Sequence, residues 1–333
     1  MLGYGWVDME GGGAMRRRTV LGLGLAAGAA LAGGATWRAC ARDVAAARAR
    51  TRGRSDVIAS RFGQMEYAVA GSGPPVLMVH GTGGGFDQGL AFAAPLVAAG
   101  RQIIAPSRFG YLRSDFPGDP SSENQADAFV DLLDRLGIDR VPVIGGSAGA
   151  LSAMAFAIRH PDRCAALVAL VPAAFAPDRP PPRPPNALAE AIIAWGLRSD
   201  LLFWLGMTLA EDGMIGTLLA TDPNLVHAAD AAEQARVRGI LRDILPVSDR
   251  ARGLLNDGRL AGSPEPMLLE RVRAPTLALS LADDRFQTLA AARHIAATVP
   301  GARLASWPTG GHVWVGHNGQ VFATIDGFLS EVT

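Results

Sequence analysis

From residue 57 onward, short apolar segments alternate with longer amphipathic ones, and glycine or proline separates them. This alternation is typical of strands joined by crossover helices in an α/β sheet. The short segments do not alternate polar with apolar positions, which predicts strands buried on both faces. The predicted strands are 65–69, 76–79, 102–105, 141–144, 166–171, 276–281 and 303–307. The predicted helices are 87–99, 123–136, 148–159, 287–298 and 319–330.

The alternation stops between the strand at 166–171 and the strand at 276–281. A proline-rich run at 177–185 opens an insertion whose pattern is mainly helical. We therefore predict a helical cap over 173–265 and a sheet domain made of 57–172 and 266–333. We expect the large apolar residues of the insertion to form mostly its core, with some of them lining a pocket. They include Trp195, Phe203 and Trp204.

The first 56 residues have a different pattern. Three arginines at 16–18 precede an uncharged stretch, 19–36, which is long enough for the apolar part of a signal peptide and nearly long enough to span a bilayer. The run Arg17-Arg18-Thr19-Val20-Leu21 resembles a twin-arginine export signal, and Ala30-Leu31-Ala32 is a candidate cleavage site. More arginines follow the stretch than precede it, which favours a cytoplasmic location for the rest of the chain.

These conflicting signals leave the side of the membrane open. We predict a leader with a signal or anchor helix at 1–36 and a basic stem at 37–56. If the leader is not cleaved, 19–36 would associate the protein with a membrane.

The chain of 333 residues carries 31 basic and 31 acidic side chains, and every basic one is arginine. The lack of lysine excludes a Schiff base, a covalently attached pyridoxal cofactor and the lysine of a phosphate-binding loop. The net charge of zero argues against a nucleic-acid partner. Two cysteines and six scattered histidines offer no set of metal ligands. We expect neither a metal nor a cofactor.

The most specific chemical motif is Gly145-Gly146-Ser147-Ala148-Gly149, which follows the strand at 141–144 and opens a helix. A Gly-x-Ser-x-Gly run in this context is typical of a nucleophile elbow, in which small neighbours allow a strained serine backbone. Upstream, His80-Gly81-Thr82-Gly83-Gly84-Gly85 follows the strand at 76–79. The backbone N–H groups of Thr82 and Ala148 are the candidate donors to an oxyanion, and we expect His80 to be structural.

A serine nucleophile needs a general base and a carboxylate that orients the base. The strand at 276–281 leads into Asp283 and Asp284, and the strand at 303–307 leads through two glycines to His312. The carboxyl ends of neighbouring parallel strands meet at one edge of a sheet, where sites collect. His312 is therefore the candidate base, and either aspartate is a candidate for the acid.

Together these motifs resemble the α/β-hydrolase fold superfamily, in the family's chain order of serine, aspartate and histidine. The resemblance covers about residues 57–333 and implies a mostly parallel eight-stranded sheet flanked by helices, with a helical cap. It favours Asp284 as the acid of a triad with Ser147 and His312. Leu281 stands where the family usually has glycine, which keeps Asp283 open, and Ser107 stands where the family commonly has aspartate.

The resemblance implies a serine hydrolase that needs no cofactor, and a serine at the elbow argues against the dehalogenase and epoxide hydrolase relatives. An apolar cap suggests a small to medium hydrophobic ester or lactone as the substrate. Residues 80–85 and 283–286 are also similar to carbon–carbon bond hydrolases of the meta-cleavage-product type. This alternative ranks lower because those relatives often have tryptophan directly after the histidine, whereas Val313 precedes Trp314 here. A third interpretation is a non-catalytic, membrane-tethered binding protein of the same fold.

Overall fold

The structure is a computed structural model and describes residues 33–179 and 195–333. The chain forms two compact units, of which the first ends at Ala46 and the second is Ala47–Thr333. Helix α1 covers 33–51, which includes much of the predicted stem. Within the described residues no helix has the length and apolar character needed to cross a membrane. Most of the stretch 19–36 lies outside the described residues, so the signal or anchor at 1–36 stays a prediction.

The second unit is built on an eight-stranded sheet with the order β1-β2-β4-β3-β5-β6-β7-β8. Strands β3 to β8 pair in parallel, and β1 and β2 join the sheet antiparallel. The predicted mostly parallel sheet of eight strands is therefore confirmed. The strands are β1 (Asp56–Ser60), β2 (Gly63–Ala70), β3 (Pro75–Val79), β4 (Gln102–Pro106), β5 (Val141–Gly146), β6 (Cys164–Leu170), β7 (Thr276–Leu281) and β8 (Arg303–Trp307).

Helices cover both faces of the sheet and bury two apolar clusters against it. Helices α4 (Ser122–Leu136) and α5 (Gly149–Arg159) contribute to one cluster, together with α11 (Thr288–Thr298). Helices α2 (Phe86–Phe92) and α3 (Ala94–Ala98) contribute to the other, together with α12 (Asn318–Val332). This arrangement places the carboxyl ends of β3, β5, β7 and β8 along one edge.

The structure differs from the predicted helix at 87–99 and from the predicted burial of the strands. The single helix predicted at 87–99 is two short helices, because Pro95 lacks a backbone N–H and stands in the first turn of α3. The strands are also not all buried on both faces. Whereas β5 and β7 are buried along their whole length, β8 lies at the edge of the sheet and exposes Arg303 and Leu304.

Between β6 and β7 the described residues from 195 onward are mainly helical. The helices are α6 (Asp200–Leu209), α7 (Glu211–Leu218), α8 (Pro223–Ala228), α9 (Ala231–Arg242) and α10 (Ala251–Gly262). The side chains of Ser199, Asp222 and Asp230 accept backbone N–H bonds in the first turns of α6, α8 and α9, which explains why these helices begin there. Residues 180–185 of the proline-rich run lie outside the described residues, and the bounds of the predicted cap, 173–265, stay a prediction.

Candidate active site

Ser147 stands in the sharp turn between β5 and α5. Its φ of 52° lies in the left-handed region, which side chains other than glycine rarely adopt, so the predicted strain is present. The turn is tightly enclosed, since a Cβ added to Gly149 would overlap the carbonyl oxygen of His80. The Ser147 N–H donates to the carbonyl of Leu170 on the neighbouring strand at 2.9 Å. These contacts fix the serine at the carboxyl edge of the sheet.

The structure brings Ser147, His312 and Asp284 together in a continuous hydrogen-bonded chain. The distance from Ser147 Oγ to His312 Nε2 is 2.9 Å, and the distance from His312 Nδ1 to Asp284 Oδ2 is 2.8 Å. Asp284 and His312 are both buried. Because Nδ1 faces a carboxylate, it carries the proton and leaves Nε2 as the acceptor for the serine hydroxyl. The arrangement is that of a nucleophile, a base and an orienting acid.

Asp284 is held in its ionised form by the groups around it. The Thr288 hydroxyl donates to Oδ2, and the Phe286 N–H donates to Oδ1 at 2.8 Å. Burial raises the pKa of Asp284. The charge and hydrogen bond of His312, and the hydrogen bonds from Thr288 and Phe286, all lower it and together outweigh the effect of burial. The pKa therefore lies below its usual value. An ionised carboxylate at this place stabilises a positive charge on the imidazole.

Asp283 has different partners from Asp284. Its two carboxylate oxygens accept the backbone N–H groups of Gly310 and Gly311, at 3.0 and 2.8 Å. The structure therefore places Asp283 against the backbone of the loop that carries the histidine, and Asp284 against the imidazole itself. The same loop is tied to the helical insertion, because Thr221 Oγ1 accepts the His312 N–H at 3.0 Å.

The predicted oxyanion donors are both near Ser147. Thr82 lines the cavity beside the serine, and Ala148 follows it directly. Among the hydrogen bonds of the described residues, neither of these two backbone N–H groups has a protein acceptor. Both groups are therefore free to donate to a substrate oxygen, although their assignment to an oxyanion hole stays a prediction.

His80 is fully buried, and both of its ring nitrogens contact backbone groups. Nδ1 donates to the Gly81 carbonyl at 2.7 Å, and Nε2 accepts the Arg108 N–H at 2.9 Å. Burial, with the charge of Arg108 as a smaller cause, lowers the pKa of His80 well below its usual value. A neutral imidazole thus fixes the loop 80–85 at the end of β3.

A cavity of about 160 Å³ lies in front of Ser147 and His312. A dry cavity of about this size holds a benzene-sized group, so it suits a small substrate. Its described lining is mostly apolar and carries no charged carboxylate, guanidinium or ammonium group. The apolar side chains are Phe92, Val171, Leu218, Leu219, Ile240, Phe286, Val313 and Trp314. No group of three or more histidine, cysteine, aspartate or glutamate side chains within 33–179 and 195–333 is placed to hold a metal ion.

The insertion contributes Thr217, Leu218, Leu219 and Ile240 to this lining. Of the large apolar residues that the sequence predicts mostly in the core of the insertion, Phe203 is buried and Trp195 is exposed, and neither these two nor Trp204 belong to the described lining. Sequence analysis also missed Thr221, Thr288 and Gln88. Thr288 stands at the start of a helix four residues after the acid, where a polar side chain could have been recognised as its partner. No local pattern marks Thr221, which meets the histidine loop only through packing.

Comparisons with known proteins agree with the fold. A sequence model of the alpha/beta hydrolase fold family matches residues 74–315. An uncharacterized hydrolase of Bacillus subtilis is 38% identical over 110 residues, which are 33% of this chain and 38% of that relative. A 2-hydroxy-6-oxononadienedioate/2-hydroxy-6-oxononatrienedioate hydrolase of Paraburkholderia xenovorans is 28% identical over 260 residues, 75% of this chain and 84% of the relative. Among solved structures, an alpha/beta hydrolase fold protein from Nakamurella multipartita is 27% identical, with a TM-score of 0.64 over 83% of this chain and 98% of that one.

Proposed function

We propose that this chain, which belongs to the alpha/beta hydrolase fold family and is a hydrolase, cleaves a carboxylic ester or lactone through an acyl-enzyme. The proposed substrate is small to medium in size and hydrophobic. The proposed catalytic residues are Ser147, Asp284 and His312, with the backbone N–H groups of Thr82 and Ala148 as oxyanion donors. The non-catalytic alternative is set aside because the family and its named relatives are hydrolases.

Acylation begins when Ser147 Oγ attacks the carbonyl carbon of the substrate. His312 Nε2 takes the hydroxyl proton, and Asp284 stabilises the imidazolium that forms. The carbonyl oxygen becomes an oxyanion, to which Thr82 and Ala148 donate. When the tetrahedral intermediate collapses, the bond to the alcohol oxygen breaks and His312 returns the proton to that oxygen. The acyl group then remains on Ser147.

Deacylation repeats these steps with water as the nucleophile. His312 takes a proton from water, whose oxygen attacks the acyl carbon, and the same two N–H groups bind the second oxyanion. Collapse of this intermediate breaks the bond to Ser147 Oγ, which regains its proton from His312. The carboxylic acid leaves, and no cofactor takes part in either half of the reaction.

The observation that carries the proposal is the chain of 2.9 and 2.8 Å contacts from Ser147 to His312 and Asp284, which opens onto an apolar lining without a fixed charge in the described residues. A neutral ester needs only the triad and the oxyanion donors as polar partners. An anionic substrate needs in addition a group that compensates its charge when it leaves water. The described lining therefore favours a neutral substrate.

A carbon–carbon bond hydrolase of the meta-cleavage-product type is the second candidate. It is supported by the relative from Paraburkholderia xenovorans, which is named as a hydrolase of a dienedioate. It is also supported by Trp314, which lines the cavity although it stands one position later than the tryptophan of such enzymes. The same serine and histidine would serve this reaction, so the substrate and not the triad separates the two candidates.

A substrate panel tests the proposal. We expect purified protein to hydrolyse p-nitrophenyl esters of short acyl chains, and Ser147→Ala to lower kcat at least about 10³-fold, because the nucleophile is lost. The panel also includes a 2-hydroxy-6-oxo-dienoate, whose cleavage is followed by its loss of absorbance. Turnover of the dienoate alone would replace the ester proposal by the second candidate.

A further inference from the structure

Three polar side chains of the cavity are not used by the proposed chemistry: Thr82, Gln88 and Thr217. Gln88 lies on α2 and lines the cavity beside Ser147. Its Oε1 accepts the backbone N–H of Gly81 at 3.0 Å. Because a backbone N–H can face only the oxygen of a side-chain amide, this contact fixes which end of the amide is which. The Nε2 amino group is therefore on the side turned away from Gly81.

This amino group is an unused hydrogen-bond donor. Within the described residues this nitrogen has no protein acceptor. The described side-chain nitrogens that are both buried and unpaired are Gln125 Nε2 and Arg250 Nε, so Gln88 Nε2 is unpaired but not fully buried. It therefore keeps solvent-accessible surface, and the residue that carries it lines the cavity. Thr217, another polar residue of the lining, differs because its hydroxyl already donates to the Gly213 carbonyl at 2.7 Å. Gln88 thus offers amide protons for which residues 33–179 and 195–333 supply no acceptor.

The amide also lies close to the reacting serine. A Cβ placed on Gly81 would stand 3.1 Å from Ser147 Cβ and 3.7 Å from Gln88 Oε1, so the two side chains border the same space. A carbonyl group attacked by Ser147 brings its neighbouring atoms beside this amide. An alkyl chain there would displace water from the donor without replacing the hydrogen bond, whereas an acceptor oxygen would restore it.

We propose that Gln88 is a substrate-recognition residue whose amide donates a hydrogen bond to a second acceptor oxygen of the substrate, placed near the scissile carbonyl. The inference rests on the proposed ester hydrolysis and narrows its substrate class. The preferred substrates are esters or lactones that carry a hydroxy, keto or ether oxygen within the first few atoms from the carbonyl, and plain alkyl esters are poorer substrates.

The test compares substrates that differ in a single atom. One pair is p-nitrophenyl butyrate and p-nitrophenyl methoxyacetate, and the other is p-nitrophenyl valerate and p-nitrophenyl 3-methoxypropionate. In each pair an ether oxygen replaces one methylene group at nearly constant size. For each pair, kcat/KM of the oxygen-bearing ester is divided by kcat/KM of the alkyl ester, and this ratio is measured for the wild type and two variants. Gln88→Glu keeps an acceptor for the Gly81 N–H but loses the donor, and Gln88→Leu loses both. Comparing ratios between proteins cancels the intrinsic reactivity of each ester.

We expect both Gln88 variants to lower the preference for the oxygen-bearing ester of at least one pair about 5- to 10-fold, the size of one lost hydrogen bond. Thr217→Val is the matched control in the same lining, and we expect it to leave this preference unchanged. Thermal unfolding with a Tm near that of the wild type establishes that each variant is folded.

Equal losses on both members of both pairs would overturn the inference and reduce Gln88 to a support for Gly81. Loss of the preference in Thr82→Val but not in the Gln88 variants would overturn it as well, since the Thr82 hydroxyl is the rival donor. In both cases the wild type still hydrolyses esters, so the proposed function stands. If the folded wild type hydrolyses no ester of either pair, the proposed function fails and the inference fails with it.

Discussion

Asp283 and Asp284 are adjacent in the chain, but the turn after β7 directs them to different partners. Asp284 contacts the imidazole of His312, and Asp283 contacts the backbone of the loop that carries this histidine. The first contact acts on the charge of the base, and the second acts on its position. The two carboxylates therefore differ in what their removal should change.

We predict that Asp284→Asn lowers kcat for ester hydrolysis by about 10³- to 10⁴-fold with the fold retained, because an amide cannot stabilise the imidazolium in the same way. Asp283→Asn keeps an acceptor oxygen for the loop and should lower kcat less than about tenfold. Steady-state kinetics of both variants, with circular dichroism spectra to establish folding, measure the difference. Equal losses in the two variants would contradict the assignment of Asp284 as the acid.

His80 gives a prediction about stability and pH. An unfolded chain takes up a proton on this histidine below its ordinary pKa of about 6.5, while the buried imidazole of the folded chain does not. The free energy of unfolding should therefore fall as the pH falls below 6.5, by up to about 1.4 kcal/mol per pH unit from this group. We expect the free energy of unfolding, measured by urea denaturation at several pH values between 7 and 5, to change less with pH in His80→Gln than in the wild type. The same dependence on pH in the two proteins would contradict this role of His80.

The sequence indicates those site residues that stand within a few positions of a strand's carboxyl end. Ser147, Asp284 and His312 each stand in a short turn at a strand's carboxyl end, so residue type and position along the chain are together enough to suggest a site. Gln88 on α2 and Thr221 in the connection between α7 and α8 reach the site through tertiary packing, which no local pattern of the sequence shows. Such contacts follow from tertiary structure and are beyond sequence reasoning of this kind.

At the scale of elements, α10 is tied to the loop 80–85 by a buried ionic network. Arg108, which follows β4, forms two hydrogen bonds to the carboxylate of Asp257 on α10, at 2.7 and 2.6 Å. Its Nε also donates to the His80 carbonyl at 3.0 Å. Tyr111 donates to Asp257 at 2.6 Å and accepts the Gly83 N–H at 3.2 Å. Burial, followed by the charge of Asp257, raises the pKa of Tyr111 and keeps the phenol protonated for this bond.

We predict that Asp257→Asn lowers the free energy of unfolding by about 3–5 kcal/mol, because it leaves the buried Arg108 guanidinium without its counter-charge. The matched control is Glu331→Gln, which makes the same chemical change in an exposed ion pair with Arg303 and should cost less than about 1 kcal/mol. Chemical denaturation of both variants measures the two values. A loss in Asp257→Asn no larger than that of the control would contradict this role.

The elements predicted best are the central strands, which the structure shows at 141–146 and 276–281 close to the predicted bounds. Both strands are buried throughout and mostly apolar, and glycine or nearby acidic residues mark where they end, so both pattern and limits are clear. Strand β1 was missed because it lies at the edge of the sheet and only Ile58 of its five residues is buried. An edge strand of this kind lacks the apolar run by which the others were recognised.

At the scale of the whole molecule, the alpha/beta hydrolase fold is confirmed for the sheet and its flanking helices. The absence of lysine excluded several mechanisms from the composition alone, and serine, histidine and aspartate are sufficient for the proposed one. Export or membrane anchoring through the leader 1–36 stays a prediction, and so does the side of the membrane. These depend on targeting and cleavage of the leader, which packing of the catalytic domain does not determine.

Covalent labelling of the folded protein with a fluorophosphonate, followed by intact mass and peptide mapping, tests directly whether Ser147 is an activated nucleophile. We predict one adduct on Ser147, none in Ser147→Ala, and labelling slowed about 10³-fold or more in His312→Ala, because His312 must take the serine proton. Failure of the folded wild type to react, or an equal rate of labelling in His312→Ala, would contradict an activated Ser147 nucleophile.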